Sequence, residues 1–202
     1  RAYTHIMKNV YSDPAEVFDT ILEDKEILKR AKTVTENYDK FNKMALEYTV
    51  KGKGDIIELK RALYLAMVTV NLLEGLRFYI SFACTFAFGE LKLMEGSAKL
   101  LSLIARDEAT HLNLSTHVIK AWQKGDDAEM TKAMKGTEKE VIQMFKNTVD
   151  EEKAWAKYLF KDGSIIGLNE KLLGNYVEWI ANKRLRALGF DPIYDVAASA
   201  NP

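Results

Sequence analysis

One long apolar stretch, residues 57–88, constrains the fold of this chain more than any other feature. Its two most apolar runs, residues 62–73 and 78–88, are each shorter than the ~20 residues that a membrane-spanning helix needs. Glu74 and Arg77 lie between these runs, and each would cost roughly 2.5–3.5 kcal/mol at the centre of a bilayer. A helix that is buried on nearly every side inside a protein therefore explains the stretch better than a membrane span.

The remaining sequence is also patterned as helices. Apolar periodicity predicts helices over residues 1–11, 14–23, 25–50, 57–88, 94–124, 127–160 and 169–188. Ser12 is a candidate N-cap for the second helix, and Gly125 and Gly189 suit the position just after a helix. The sequence shows no strand alternation and no short repeat. We therefore predict an all-α fold, a helical bundle of the ferritin-like type, with residues 1–202 in a single domain.

Charge and cysteine content bound the partners and the compartment. Lys and Arg total 29, and Asp and Glu also total 29, so nothing favours a nucleic acid or a membrane surface as a partner. Cys84 is the single cysteine, which excludes an intramolecular disulfide and fits a reducing cytosol. Because the chain begins at Arg1 and its first residues read as the middle of a helix, we expect further sequence on both sides. A processed mature chain is the alternative.

Glu74 is the unusual residue of the apolar stretch, because an ionised carboxylate away from water must be paired, bind a metal or take up a proton. Arg77, three residues further on, is one available partner on the same helix. Glu108 and His111 offer another explanation, since residues three apart lie one helical turn apart and can reach one point. Bundles that bind two metal ions take a Glu from each of two helices and a Glu-x-x-His motif from each of two others. This chain supplies half of that set.

The neighbouring polar residues allow more than one interpretation. Asp107 could accept the second N–H of a ligand histidine, or it could pair with Arg106 at the surface. His117 lies roughly 240° around the helix from His111, so we interpret it as a non-ligand. His5 belongs to no Glu-x-x-His motif, and no further motif of this kind occurs. Either the remaining ligands precede the first residue, or the metal site is absent.

Four segments resemble the small, radical-generating subunit of class I ribonucleotide reductase, and most of all its bacterial and phage branch. They span most of the chain in the family's order: RAYTHIMKNVYSDP (1–14), VNLLEGLRFYISFACTFAF (70–88), MEGSAKLLSLIARDEATHL (94–112) and LFKDGSIIGLN (159–169). The resemblance implies a ferritin-like, cytoplasmic homodimer with two metal ions per subunit, typically iron, with manganese as the alternative. It implies that these ions and O₂ oxidise a tyrosine to a stable radical. A large partner subunit then uses the radical to reduce ribonucleotides to deoxyribonucleotides.

The same resemblance assigns roles by position. The residues that match metal ligands are Glu74, Glu108 and His111. The residue that matches the radical tyrosine is Tyr3. The residues that match the apolar pocket around it are Phe78, Phe82 and Ile104, which would otherwise be interpreted as ordinary core residues. Asp107 matches a residue of the proton-coupled electron pathway. An Asp ligand, a second Glu-x-x-His motif and the C-terminal tail that docks on the large subunit would lie outside these residues, so we expect the fragment alone to be inactive.

Two other functions stay open at this point. One is a ferritin-like dimetal oxidase that acts on an organic substrate and needs an open pocket near Glu74 and Phe78. The bulky Phe82, Phe86 and Phe88 argue against such a pocket. The other is a helical scaffold that has lost its metal. A Glu-x-x-His motif encoded just before the first residue would favour the ribonucleotide reductase interpretation over the scaffold.

Overall fold

The computed structural model describes residues 2–200. Within that range nine α-helices follow one another: α1 (Ala2–Val10), α2 (Ala15–Ile21), α3 (Lys25–Lys51), α4 (Ile56–Leu72), α5 (Phe78–Glu90), α6 (Glu95–Gln123), α7 (Ala128–Met134), α8 (Glu138–Leu159) and α9 (Glu170–Ala187). A π-helical turn, Leu73–Arg77, joins α4 to α5 and is called the π segment below. The described residues form no β-strand, so the all-α prediction is confirmed.

Polar side chains fix where several helices begin. Asp24, Asp55 and Asp127 each accept two backbone N–H groups from the first turn of α3, α4 and α7. These bonds satisfy donors that have no partner inside a helix, and each such cap stabilises its helix by about 1 kcal/mol. At the C-terminal end of α6, Gly125 has a φ of +90° and follows the last turn of the helix, as predicted.

Two predicted boundaries are wrong. Asp13, not Ser12, provides the polar group at the start of α2, since its carboxylate accepts the backbone N–H of Ala15 at 2.9 Å. Residues 127–160 form two helices rather than one, because Gly136 has a φ of +78° between α7 and α8. A left-handed residue ends an α-helix and turns the chain.

The apolar stretch forms α4, the π segment and α5, and α4 is buried on nearly every side. Its buried positions are Ala62, Tyr64, Leu65, Ala66, Val68, Thr69, Asn71 and Leu72. In α5, only Ile80 and Phe82 are buried. Within residues 2–200, no helix is both long enough and apolar enough to cross a membrane. The predicted buried helix is therefore confirmed for α4, whereas α5 lies nearer the surface.

The core is built by the later helices. α4 packs against α3, α6, α7 and α8, while α8 packs against α9 and α9 against the π segment. The largest fully buried core side chains outside α4 are Leu76, Ile80, Ile119, Met130, Phe145, Leu173, Ile180, Leu185 and Leu188. In contrast, α1, α2 and α3 contribute no buried residue among those described. The π segment is thus embedded in the core, and α1 is attached to its outside.

Candidate metal centre

Glu74, Glu108 and His111 converge on one point between two helical elements. Glu74 lies in the π segment, and the other two residues lie one turn apart on α6. His111 Nδ1 lies 3.3 Å from Glu108 Oε2 and 3.8 Å from Glu74 Oε1. One ligand atom from each of the three residues lies within 4.8 Å of the others. The structure therefore brings together the three residues that the sequence offered as metal ligands.

The electrostatics of Glu74 fit a cation at this point. Its Oε2 atom is buried and has no hydrogen-bond partner among the described residues. Burial raises the pKa of the Glu74 carboxyl, the nearby Glu108 carboxylate raises it further, and His111 lowers it. An unpartnered buried carboxylate next to a second acid is unfavourable unless a proton or a cation neutralises it. Carboxylate oxygens and imidazole nitrogen are ligands that iron and manganese accept.

Arg77 does not neutralise Glu74, so the proposed pairing between them is wrong. The Arg77 guanidinium instead bonds to Glu151 and Glu152 of α8, and its Nη1 lies 3.0 Å from Glu152 Oε1. Because the turn between Glu74 and Arg77 is π-helical, it is wider than an α turn and the two side chains do not share a face. Arg30 of α3 completes this network with three hydrogen bonds to Glu152, a residue with no exposed surface.

Asn71 joins α4, the helix that leads into the π segment, to the ligand-bearing helix α6. Its side-chain amide donates to Ser115 at 3.1 Å and to Thr116 at 3.0 Å. Asn71 precedes Glu74 by three residues, and Ser115 follows His111 by four. These bonds fix α4 against α6 about one turn from the candidate ligands. Asn71 is visible in the sequence as a polar residue three positions before Glu74, but the sequence interpretation did not single it out.

Tyr3 and Asp107 are both exposed at the surface of residues 2–200. Tyr3, on α1, is 58% exposed. Partial burial and the charge of Glu108 raise the pKa of its phenol, so Tyr3 lies within electrostatic reach of the cluster. The Asp107 carboxylate is exposed on α6, 3.8 Å from Arg106 Nε. It contacts neither His111 nor another candidate ligand among the described hydrogen bonds and ion pairs.

The three predicted pocket residues differ in burial. Phe82 is 3% exposed, whereas Phe78 and Ile104 are half-buried. The Phe78 and Phe82 rings lie 6.4 Å apart, and Phe86 continues the row at 6.2 Å from Phe82. Phe78 directly follows the π segment and Ile104 precedes Glu108 by one turn, so both flank the cluster along their helices.

Two further residues near the cluster carried no sequence signal. Burial and the charge of Glu74 raise the pKa of the Tyr38 phenol on α3, which places this phenol within electrostatic reach of Glu74. Arg184 of α9 donates from Nε to the carbonyl oxygen of Gly75 at 3.0 Å, next to Glu74 in the chain. Neither residue is close in sequence to the motif, so only the packing of α3 and α9 reveals them.

A helical bundle that aims a Glu and a Glu-x-x-His motif at one point has the architecture of the dimetal carboxylate proteins. Within that class the chain belongs to the ribonucleotide reductase small chain family, whose sequence profile matches residues 1–202. The resemblance seen in the four sequence segments is therefore confirmed.

Individual relatives agree with this assignment. The chain is 44% identical over 214 residues to ribonucleoside-diphosphate reductase 1 subunit beta of Salmonella typhimurium, covering 100% of this chain and 57% of the relative. It is 45% identical over 201 residues to the subunit beta of Haemophilus influenzae, covering 94% of this chain and 54% of the relative. The ribonucleotide reductase R2 subunit from Clostridium botulinum matches the fold with a TM-score of 0.81 and 28% identity, covering 95% of this chain and 56% of that one. The chain thus spans just over half the length of these relatives, and its ferritin-like fold is confirmed.

Proposed function

We propose that this chain forms part of the radical-generating small subunit of a class I ribonucleoside-diphosphate reductase. The observation that carries the proposal is the convergence of Glu74, Glu108 and His111, with Glu74 Oε2 buried and without a hydrogen-bond partner. Membership of the small chain family supports the same conclusion. The activity requires further ligands from sequence outside these residues.

The three cluster residues hold metal in this proposal. Glu74 and Glu108 offer oxygen donors and His111 offers Nδ1, which faces both carboxylates. Two iron ions, or manganese in their place, supply the oxidising chemistry with O₂ when they are bound. The donor set does not favour one of these metals strongly, since carboxylate and imidazole ligands suit both. We propose iron as the resident metal.

Tyr3 is proposed to become the radical. The phenol is protonated at neutral pH, and burial and the charge of Glu108 raise its pKa further, so losing one electron also requires the phenol proton to leave. Phe78, Phe82 and Ile104 are proposed to keep water and reductants from the radical. Because α1 lies on the outside of the described bundle, sequence beyond these residues must complete the enclosure of Tyr3. Asp107 is proposed to belong to the electron path toward the large subunit, and its exposed carboxylate is available to groups outside this chain.

The assembly proposed here is a cytoplasmic homodimer that works with the large, catalytic subunit of ribonucleotide reductase. In this proposal residues 1–202 belong to one ferritin-like domain. Neither a nucleic acid nor a membrane is a proposed partner, and the balanced charge of the chain supports this.

A dimetal oxidase that acts on an organic substrate is the second candidate. A cavity of about 450 Å³ lies beside α5, and its lining includes Tyr79, Phe82, Phe86 and Tyr176. Neither Glu74 nor any other cluster residue lines this cavity. A substrate bound there would not contact the metal ligands, so this cavity does not support the substrate oxidase.

The decisive experiment loads the natural protein, with all the sequence its gene encodes, with Fe²⁺ and O₂ and records its electron paramagnetic resonance. We expect a tyrosyl radical signal that Tyr3→Phe removes. Tyr38→Phe is the stringent control, because the charge of Glu74 reaches this second phenol. It should retain the signal.

Metal analysis completes the test. Glu74→Gln and His111→Ala should lower the iron content, whereas His117→Ala, an exposed histidine on the same helix, should leave it unchanged. A radical that survives Tyr3→Phe would contradict the role of Tyr3. Iron loading without a radical, together with oxidation of an organic substrate, would support the second candidate. Failure to bind any metal would support the third interpretation, a helical scaffold that has lost its metal.

A further inference from the structure

Nothing among the described side chains fixes the direction of the Glu74 carboxylate. Its Oε2 has no hydrogen-bond partner, and its Oε1 lies 3.8 Å from the nearest histidine nitrogen, beyond hydrogen-bond distance. A ligand residue usually has partners that orient it before the metal binds. The π segment, which carries Glu74, sets where this side chain starts relative to Glu108 and His111.

A π-helical turn is an uncommon backbone conformation and needs support from its surroundings. Among the described side-chain hydrogen bonds, the one that reaches the backbone of this turn comes from α9. Arg184 donates from Nε to the Gly75 carbonyl oxygen at 3.0 Å, one residue after Glu74. The Arg184 guanidinium also lies over the ring of Tyr79, with its central carbon 5.3 Å from the ring centroid. The arginine therefore contacts both the π segment and α5, the helix that follows it.

Gly75 makes this approach possible. A Cβ atom at this position would lie 3.2 Å from Arg184 Cδ and Nε, and 2.8 Å from the terminal Cδ1 of Leu112 on α6. Without a side chain, the Gly75 backbone lies between α9 and the helix that carries Glu108 and His111. A shift of this backbone would therefore move Glu74 relative to both of its fellow ligands.

Arg184 is half-buried and projects from a helix that is packed into the core. Ala181 and Leu185 of the same helix have no exposed surface. On the other side of the turn, Arg77 is fixed to Glu152 of α8. The π segment is thereby held from two core helices, and of these two contacts the hydrogen bond from α9 is the one made at the residue next to Glu74.

We propose that Arg184 is a positioning residue, which holds the π segment through the Gly75 carbonyl so that the Glu74 carboxylate faces Glu108 and His111. This inference rests on the proposed metal-binding function and adds a residue to it. Arg184 does not touch the metal. Its removal should weaken metal binding and change the ligand geometry of the bound ion.

The test uses Co²⁺ as the probe, added without O₂ to the natural protein and followed by its visible ligand-field absorption. We expect Arg184→Met to weaken Co²⁺ binding at the cluster by about tenfold, the lower end of the range seen when a residue that orients a ligand is removed. We also expect shifted absorption bands at saturation and faster hydrogen exchange of the amides in residues 73–79 before metal is added. Arg186→Met is the matched control, because Arg186 is an exposed arginine on the same helix. It should change none of these readouts.

Two further variants separate the possible failures. If Glu74→Gln leaves Co²⁺ binding unchanged, the proposed metal site is wrong, and the proposed role of Arg184 is overturned as well. If Glu74→Gln removes binding but Arg184→Met keeps the affinity and the bands of the natural protein, only the role of Arg184 is overturned. Should Arg184→Met not fold, Arg184→Leu takes its place, since a leucine side chain has no donor for the Gly75 carbonyl. Unchanged affinity and bands in Arg184→Leu would overturn the proposal.

Discussion

The side-chain amide of Asn71 donates to the Ser115 hydroxyl at 3.1 Å and joins α4 to α6 about one turn from the candidate ligands. Both residues are buried. Asn71→Ala should lower the free energy of unfolding by about 1–3 kcal/mol, because it removes two hydrogen bonds from a buried interface. Chemical denaturation measures this change. Asn147→Ala is the control, since Asn147 accepts a hydrogen bond only at the surface of α8. An equal loss in both variants would contradict a special role for Asn71.

The buried carboxylate of Glu152 should be the most sensitive charged position outside the metal cluster. It bonds to Arg30 and Arg77, two arginines from different elements. Glu152→Gln should lower the free energy of unfolding by about 3 kcal/mol, the lower end of the range for breaking a buried ion pair, because Arg30 loses its charged partner while Arg77 keeps Glu151. Denaturation curves would measure the loss. Glu140→Gln, which removes an exposed partner of Arg61, should cost less than about 1 kcal/mol.

Asp127 should make the stability of the fold sensitive to acid. Hydrogen bonding from Lys60 and from the backbone N–H of Met130 lowers the pKa of the Asp127 carboxyl. A carboxylate with a lowered folded-state pKa stabilises the fold above its unfolded pKa of about 3.9, and the contribution is lost as the pH falls through the folded value. Asp127→Asn, which can still cap α7, should flatten the fall in melting temperature at the acid end of the pH range. An unchanged acid slope would contradict this role.

The Tyr3 phenol should report the charge of Glu108. Glu108→Gln should lower the pKa of Tyr3, but should not return it to the ordinary value, because burial is the larger cause of the shift. The measurement is the phenolate absorbance that Tyr3→Phe removes, recorded against pH in each background. Glu95→Gln, in the first turn of α6, is the control and should not move this titration. A full return to the ordinary value in Glu108→Gln would show that burial of Tyr3 contributes nothing.

The sequence was sufficient to predict the convergence of Glu74, Glu108 and His111. An isolated acid in an apolar helix and a Glu-x-x-His motif on the next long helix indicated a shared point, and the resemblance to the family assigned all three residues as ligands. It was not sufficient to predict the partner of Arg77, because Glu151 and Glu152 lie far along the chain and a π turn redirects the side chain. The break at Gly136 was visible as a glycine within a charged helix, but apolar periodicity on both sides of it concealed the change of direction.

The π segment also limits insertions and deletions at the centre of the molecule. A π turn holds one more residue than an α turn between its hydrogen-bonded groups, so deleting one residue from the π segment would convert it into a narrower α turn. The narrower turn would move the Glu74 carboxylate relative to Glu108 and His111, although both of those residues would be unchanged. A deletion in the loop around Gly52 and Gly54 would cause no such movement. We therefore expect that natural variants of this protein differ in length at that loop, and that the spacing from Glu74 to Phe82 stays constant in every member that binds metal.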